Sequence, residues 1–167
     1  MRRWGTVLCM ESIEWERKFL VNNAAWRAES ASKQEIWQGW LLVQEGISVR
    51  LRINNGEATT TCKIDIPGEV EKRVELESPI DAAVADRLRA TCGVWLEKTR
   101  WLVRRGEAVW EVDEYHGELE GLIVAEIENP GEDLELPMWV GEEVTGRPEW
   151  SNQELAIRRA EREARGA

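Results

Sequence analysis

A period of two runs through this chain. In residues 13–21, Glu14, Glu16 and Lys18 share one face of an extended strand, while Ile13, Trp15 and Phe19 take the other. The pattern returns at Arg50 and Arg52, and at Arg73, Glu75 and Glu77 with Val74 and Leu76 opposite. It returns again at Lys98 and Arg100, at Glu111 and Asp113 about Val112, and at Glu126 and Glu128 beside Ala125 and Ile127. Lys63 stands in a further extended run, Thr61-Cys62-Lys63-Ile64. Such alternation belongs to strands with one apolar and one charged face.

Turn residues separate these segments. Glu45-Gly46, Asn54-Asn55-Gly56, Pro67-Gly68 and Arg105-Gly106-Glu107 punctuate strands expected over 13–21, 36–43, 48–53, 58–64, 71–77, 94–104, 108–115 and 121–128. Ser78-Pro79-Ile80-Asp81 opens a helix to about residue 90, with Ala82, Val84, Ala85 and Leu88 at helical spacing. Ser151 with Glu154 three residues on is a capping box, and a charged helix follows it. The expected fold is mainly β (α+β): about eight antiparallel strands with a few helices, closed into a barrel because closure removes exposed edges.

Spacing alone leaves open which face points inward. Charged faces of strands are ordinarily solvated. With the charges inside, the barrel would be a polar tunnel whose apolar exterior needs covering, and helices near 80–91 and 151–165 are available for part of that. The mixture of signs suggests a ligand. Carboxylates suit a hard cation, and lysine and arginine suit phosphate. Together they suit a metal-bound polyphosphate.

Composition narrows the options. With 167 residues, 43% hydrophobic and 32% charged, the chain suits one soluble domain. A formal net charge of −10 argues against general nucleic-acid binding, so a polyanionic ligand needs locally gathered cations and a metal. No apolar run approaches the ~20 residues of a membrane span. Arg2, Arg3 and the short apolar run before Glu11 make a poor signal peptide, and Met10 is an alternative start. Cys9, Cys62 and Cys92 form no C-x-x-C pair and read as reduced thiols, which with the rest points to the cytoplasm. Ten tryptophans against one tyrosine and one phenylalanine have no explanation at this level.

Taken in order, the motifs resemble those of the CYTH superfamily, the triphosphate tunnel metalloenzymes. Glu14-Trp15-Glu16-Arg17-Lys18 resembles E-x-E-x-K, and Gln38-Gly39-Trp40-Leu41 resembles Q-G-Y-L. Val49-Arg50-Leu51-Arg52 resembles V-R-x-R, Lys63 falls where the next strand carries a lysine, and Arg73-Val74-Glu75-Leu76-Glu77 resembles R-x-E-x-E. Glu97-Lys98-Thr99-Arg100-Trp101, Trp110-Glu111-Val112-Asp113-Glu114 and Ala125-Glu126-Ile127-Glu128 resemble E-K-T-R-Y, W-E-V-D-x and A-E-I-E. Gly141-Glu142-Glu143-Val144-Thr145 and Trp150-Ser151-Asn152 resemble the closing G-x-E-V-T and Y-S-N. Tryptophan stands for tyrosine at 40, 101 and 150.

The resemblance implies an eight-stranded antiparallel barrel around a hydrophilic tunnel, with the charges inside. It implies Mg²⁺ or Mn²⁺ held by Glu14, Glu16, Asp113, Glu126 and Glu128, with Glu75 and Glu77 serving a second metal or orienting the cations. Lys18, Arg50, Arg52, Lys63, Arg73, Lys98 and Arg100 would hold the triphosphate. Glu14, Glu16, Lys18, Glu126 and Glu128 form the implied catalytic group, with water attacking the terminal phosphorus. The expected partner is a small-molecule triphosphate, not nucleic acid or membrane, and the expected state is a monomer or homodimer.

The leading expectation is hydrolysis of tripolyphosphate to pyrophosphate and orthophosphate. Alternatives are thiamine or nucleoside triphosphate hydrolysis, an adenylate cyclase of the same family, or polyphosphate binding without catalysis. Residues 11–156 are expected to form the domain, after an extension at 1–10 and before a charged helical tail at 157–167. His116 reads as a turn residue, Glu114 and Glu118 as surface, and Glu132, Asp133 and Glu135 as a solvated loop. The stretch from Arg158 to Arg165 reads as a solvated, fraying end.

Overall fold

The computed structural model describes residues 10–68, 72–131 and 134–166. Cys9, Glu132 and Asp133, and the side chain of Glu14, lie outside the described part. The strands are β1 (Met10–Val21), β2 (Ser30–Gln44), β3 (Ile47–Asn54), β4 (Glu57–Asp65), β5 (Lys72–Ile80), β6 (Val94–Arg105), β7 (Ala108–Tyr115), β8 (Ile123–Glu128) and β9 (Val140–Glu143). The helices are α1 (Trp26–Glu29), α2 (Ala82–Arg89) and α3 (Asn152–Gly166).

Pairing runs β5-β4-β3-β2-β6-β7-β8-β1-β9, and β5 also pairs with β1. The circuit of eight strands therefore returns to its start, with β9 as a short addition beside β1. Strand β1 divides its length: Met10–Trp15 pair with β5, and Glu16–Leu20 pair with β8. Every strand pair with a stated register is antiparallel, as short hairpin connections require. Asn55 and Gly56 join β3 to β4 with φ of 49° and 89°, the left-handed pair that a two-residue hairpin of matching twist demands.

Directly paired residues share a face, so register fixes the interior. Glu16 faces Glu128, Lys18 faces Glu126, Arg50 faces Thr61, Lys63 faces Glu75 and Arg100 faces Asp113. Lys18, Arg50, Glu75, Lys98, Arg100, Asp113 and Glu126 are all buried. The charged face points inward.

The apolar faces point outward and are covered. Trp37, Leu51 and Ala58 pack beneath Ala85 and Leu88 of α2. Asp81 caps that helix, its Oδ1 accepting from the amides of Ala83 and Val84. Phe19, Val103, Trp110, Val112, Ala125 and Ile127 form a second outer core, closed by Trp26 of α1 and by Leu134, Trp139 and Val140. The tryptophans thus have a structural use: Trp26, Trp110 and Trp139 are fully buried in this cover, with Trp110 and Trp139 edge-to-face at 5.4 Å.

Helix α3 does a different job. Its Leu155 and Ala156 pack with Trp40, Leu96, Tyr115 and Val124, which lie on the inward face at one end of the barrel. That end of the lumen is filled and apolar. The stretch read as a solvated end is solvated only from Glu161 to Arg165; Arg159 is buried, with its guanidinium 3.4 Å from the Trp95 ring.

Three elements go beyond the sequence reading. Strand β2 begins at Ser30, six residues earlier than expected, because Ser30–Glu35 pair with β6 while staying largely exposed and so carry no apolar alternation. Helix α1 has only four residues, and β9 only four. Both are too short for a periodic signal.

Candidate active site

The barrel lumen holds two kinds of wall. On β1, β6, β7 and β8, carboxylates and cations interlock. Lys18 Nζ lies 2.9 Å from Glu126 and 3.2 Å from Glu16. Arg100 donates through Nε to Asp113 Oδ1 at 2.7 Å and through Nη2 to Asp113 Oδ2 at 2.8 Å. The same Nη2 reaches Glu126 at 3.0 Å, and Nη1 pairs with Glu111. Lys98 pairs with Asp113 and donates to Asn152 Oδ1 at 3.1 Å, which also accepts from the Tyr115 hydroxyl at 2.6 Å.

On β2 and β3 the picture reverses. Arg50 Nε, Arg52 Nε, Asn54 Oδ1 and both amide heteroatoms of Gln38 are buried without a hydrogen-bond partner among the described residues. Arg50 approaches Glu75 at 3.6 Å, and Lys63 pairs with Glu75. In the circuit of eight strands, β3 stands opposite β8. The lumen therefore sets under-satisfied guanidinium groups on the wall opposite the carboxylate-bearing strands, with Glu111 and Asp113 of β7 acting on Arg52.

Electrostatics follow this division. Burial opposes the charge on Glu126, but Lys18, Lys98 and Arg100 outweigh it and hold its pKa well below the usual range. Asp113 is lowered likewise against burial, by Arg100 and Lys98. Burial also opposes the Lys18 ammonium, yet Glu126 and Glu16 raise its pKa. Where cations crowd, burial wins. Arg52 falls to about 10 through burial, with Arg50 and Arg100 adding to the shift. Lys98 falls to about 8, burial outweighing Asp113. Lys63 is lowered by burial and Arg50. Glu111 is raised, chiefly by burial, with Glu126 and Asp113 adding and Arg100 opposing.

The structure gathers most of the expected residues around one lumen: Glu16, Lys18, Arg50, Lys63, Glu75, Lys98, Arg100, Asp113 and Glu126 through direct ion pairs, and Arg52 by sharing the face of Arg50 on β3. Glu128 shares the face of Glu16, and Glu77 accepts from the Thr61 hydroxyl at 3.0 Å. Arg73 stands apart, half-exposed, with Nε 3.3 Å from Asp65. Three participants went unassigned in the sequence. Glu111 shares a face with Glu126, and the alternation with Asp113 was its signal. Gln38 was visible only as part of Q-G-Y-L. Asn152 was visible only as part of Y-S-N, because its contact with Tyr115 lies 37 residues away in sequence.

Among the described residues, no three acidic, histidine or cysteine side chains stand close enough to hold a metal ion as placed. The carboxylates are instead matched by Lys18 and Arg100. The donor set still fits a hard cation: Glu16, Glu111, Glu126 and Glu128 are carboxylates neighbouring one another across β1, β7 and β8. Elsewhere, His116 accepts a turn role at the end of β7, its Nε2 2.8 Å from the Thr99 hydroxyl. Glu114 is half-buried against Arg27 and the Trp101 indole rather than free on the surface, while Glu118 is exposed. Cys62 and Cys92 are free thiols. No helix among the described residues is long and apolar enough to cross a membrane.

Comparison with known proteins agrees with this geometry. The CYTH domain model matches residues 12–164. The chain belongs to the CYTH domain family. It is 36% identical over 146 residues to an inorganic triphosphatase of Acetivibrio thermocellus, covering 85% of this chain and 92% of that protein. It is 33% identical over 151 residues to an inorganic triphosphatase of Nitrosomonas europaea, covering 86% and 97%. The crystal structure of the inorganic triphosphatase NE1496 superposes with a TM-score of 0.64 at 32% identity, covering 86% of this chain and 94% of that one. The CYTH motifs of the sequence are thus the inward rows of the barrel, and Trp40 and Trp150, standing at tyrosine positions of the CYTH pattern, border its filled end: Trp40 packs there, and the Trp150 carbonyl accepts from Lys18 Nζ at 3.4 Å.

Proposed function

We propose that this protein hydrolyses inorganic tripolyphosphate to pyrophosphate and orthophosphate, with Mg²⁺ or Mn²⁺. The observation that carries the reading is the cation wall of Arg50 and Arg52, each with a buried Nε unpartnered among the described residues, on the strand opposite β8 and its carboxylates. A buried guanidinium nitrogen without an acceptor is costly unless an anion completes it. The names of the two relatives support the substrate.

In this reading Arg50, Arg52 and Lys63 hold phosphate oxygens, and Arg73 meets the substrate at the exposed end. Glu14, Glu16, Asp113, Glu126 and Glu128 would hold the metal, with Glu75 and Glu77 serving a second ion or orienting Lys63 and Arg50. The bound ion would neutralise phosphate charge and acidify a water. Lys18 and Arg100 then turn from the carboxylates toward the phosphoryl oxygens, where charge builds as the anhydride breaks. Lys98, with its pKa near 8, can give a proton to the departing oxygen near neutral pH.

The test is phosphate release from tripolyphosphate, thiamine triphosphate and ATP, with Mg²⁺, with Mn²⁺ and with EDTA. Tripolyphosphate is expected to be cleaved fastest, and EDTA to abolish release. Faster release from thiamine triphosphate or ATP reassigns the substrate. Release from none of them, with cyclic AMP made from ATP, replaces hydrolysis by cyclisation.

A further inference from the structure

Gln38 sits on β2 between Arg52 on one side and Leu96 on the other. It is fully buried, yet neither its Oε1 nor its Nε2 has a partner among the described residues. Leu96 belongs to the apolar cluster that α3 closes, and Arg52 belongs to the cation wall with its own Nε unpartnered. Gln38 therefore stands at the border where the polar lumen ends.

A buried amide with no partner is destabilising, and an apolar side chain of the same length would pack there without that penalty. Among the described residues nothing engages the amide. A ligand can, because the amide supplies one acceptor and two donors at a single point. We infer that Gln38 is a substrate-binding residue that caps the inner end of the phosphate chain: Nε2 donates to an oxygen of the innermost phosphoryl group, while Oε1 accepts from the Arg52 Nε–H and aims the guanidinium at the same group. The neutral amide thereby marks how deep the chain enters. This rests on the triphosphatase reading above.

The experiment measures melting temperature and tripolyphosphate kinetics for Gln38→Met and Gln38→Glu. Gln38→Met keeps the length and removes both unpaired heteroatoms, so its melting temperature is expected to equal or exceed that of the parent. Its KM is expected to rise about tenfold with kcat within about threefold. Gln38→Glu places a carboxylate against Arg52, so it is expected to melt higher still, with KM rising about a hundredfold through repulsion of the substrate. A purely structural Gln38 gives the opposite result: lower melting temperatures and an unchanged KM. An unchanged KM in either folded variant overturns the inference. If the parent releases no phosphate from tripolyphosphate, the triphosphatase reading fails instead. The rise in melting temperature that tripolyphosphate produces, larger in the parent than in Gln38→Met, then still decides whether the amide binds the phosphate chain.

Discussion

Arg100 grips Asp113 with both arms of its fork, at 2.7 and 2.8 Å, and the second arm also holds Glu126 at 3.0 Å. One buried guanidinium thus balances two carboxylates, and a third, Glu111, pairs with its remaining nitrogen. Removing the cation strands those charges. Arg100→Met is expected to lose roughly 3–5 kcal/mol of stability without metal, the usual cost of breaking a buried ion pair from one side. If the same carboxylates bind a divalent ion, Mn²⁺ replaces the lost cation and restores more stability to Arg100→Met than it adds to the parent. Chemical denaturation with EDTA and with excess Mn²⁺ measures both. An equal Mn²⁺ gain in the two proteins would count against carboxylate ligation at this point.

Arg52 behaves oppositely because its surroundings do. Its Nε has no acceptor among the described residues, and burial with Arg50 and Arg100 pulls its pKa down to about 10. Arg52→Met therefore removes a strained charge, and its melting temperature is expected to hold or rise. Binding suffers instead: a charge-assisted hydrogen bond contributes about 1.5–3 kcal/mol, so KM for tripolyphosphate rises roughly tenfold to a hundredfold. Steady-state kinetics beside a thermal melt checks the pair of signs. A lower melting temperature with unaltered KM would make Arg52 a structural residue.

These contrasts show how far the sequence could be read. Alternation at Glu14-Trp15-Glu16-Arg17-Lys18 and its counterparts gave the strands, since side-chain direction in a strand depends only on parity. Whether parity pointed in or out was not local information. It depends on what covers Phe19, Trp110 and Val112, and the cover comes from Trp26 and Trp139, which lie outside the alternating strands on segments without periodicity. The site was legible for the same reason as the strands, because Lys18, Arg100 and Glu126 lie in charged rows. Gln38 and Asn152 stood in the family motifs Q-G-Y-L and Y-S-N without a role, because a single uncharged polar residue carries no pattern and its role appears only when the opposing strand or helix is in place.

Acid should unfold the metal-free protein through the same carboxylates. Glu126 and Asp113 have lower pKa values folded than unfolded. The stability they confer is complete above their unfolded values, about 3.9 to 4.3, and is lost as pH falls through the depressed folded values. Lys18, 2.9 Å from Glu126, is the foremost cation holding that value down. In Lys18→Met the folded pKa of Glu126 moves back up, so the acid loss of stability begins at higher pH. Melting temperatures between about pH 2 and 7 in EDTA, compared for the two proteins, test this; acid limbs that coincide would show that Lys18 does not set the Glu126 pKa.

Gly39 tests the outer face independently of the lumen. It follows Gln38 on β2 and so points outward, under the junction of α2 and β6. A Cβ there would lie 2.5 Å from Trp37 Cη2 and 2.9 Å from Cys92 Sγ. The Trp37 ring is stacked on Trp95 at 6.2 Å and covered by the Arg89 guanidinium at 4.9 Å, so it cannot yield without disturbing both. Gly39→Ala is expected to cost about 1–3 kcal/mol, as overpacking does, and to lower the melting temperature by roughly 2–12 °C for a chain of this size. Because the added methyl stays outside the barrel wall, KM for tripolyphosphate should remain within about twofold. Adding Cys92→Ala removes one of the two clashing groups and should recover part of the loss, making the pair non-additive. A strictly additive double variant would show that Cys92 does not press on this position, and a large KM change would mean that packing at Gly39 reaches through the wall to Gln38.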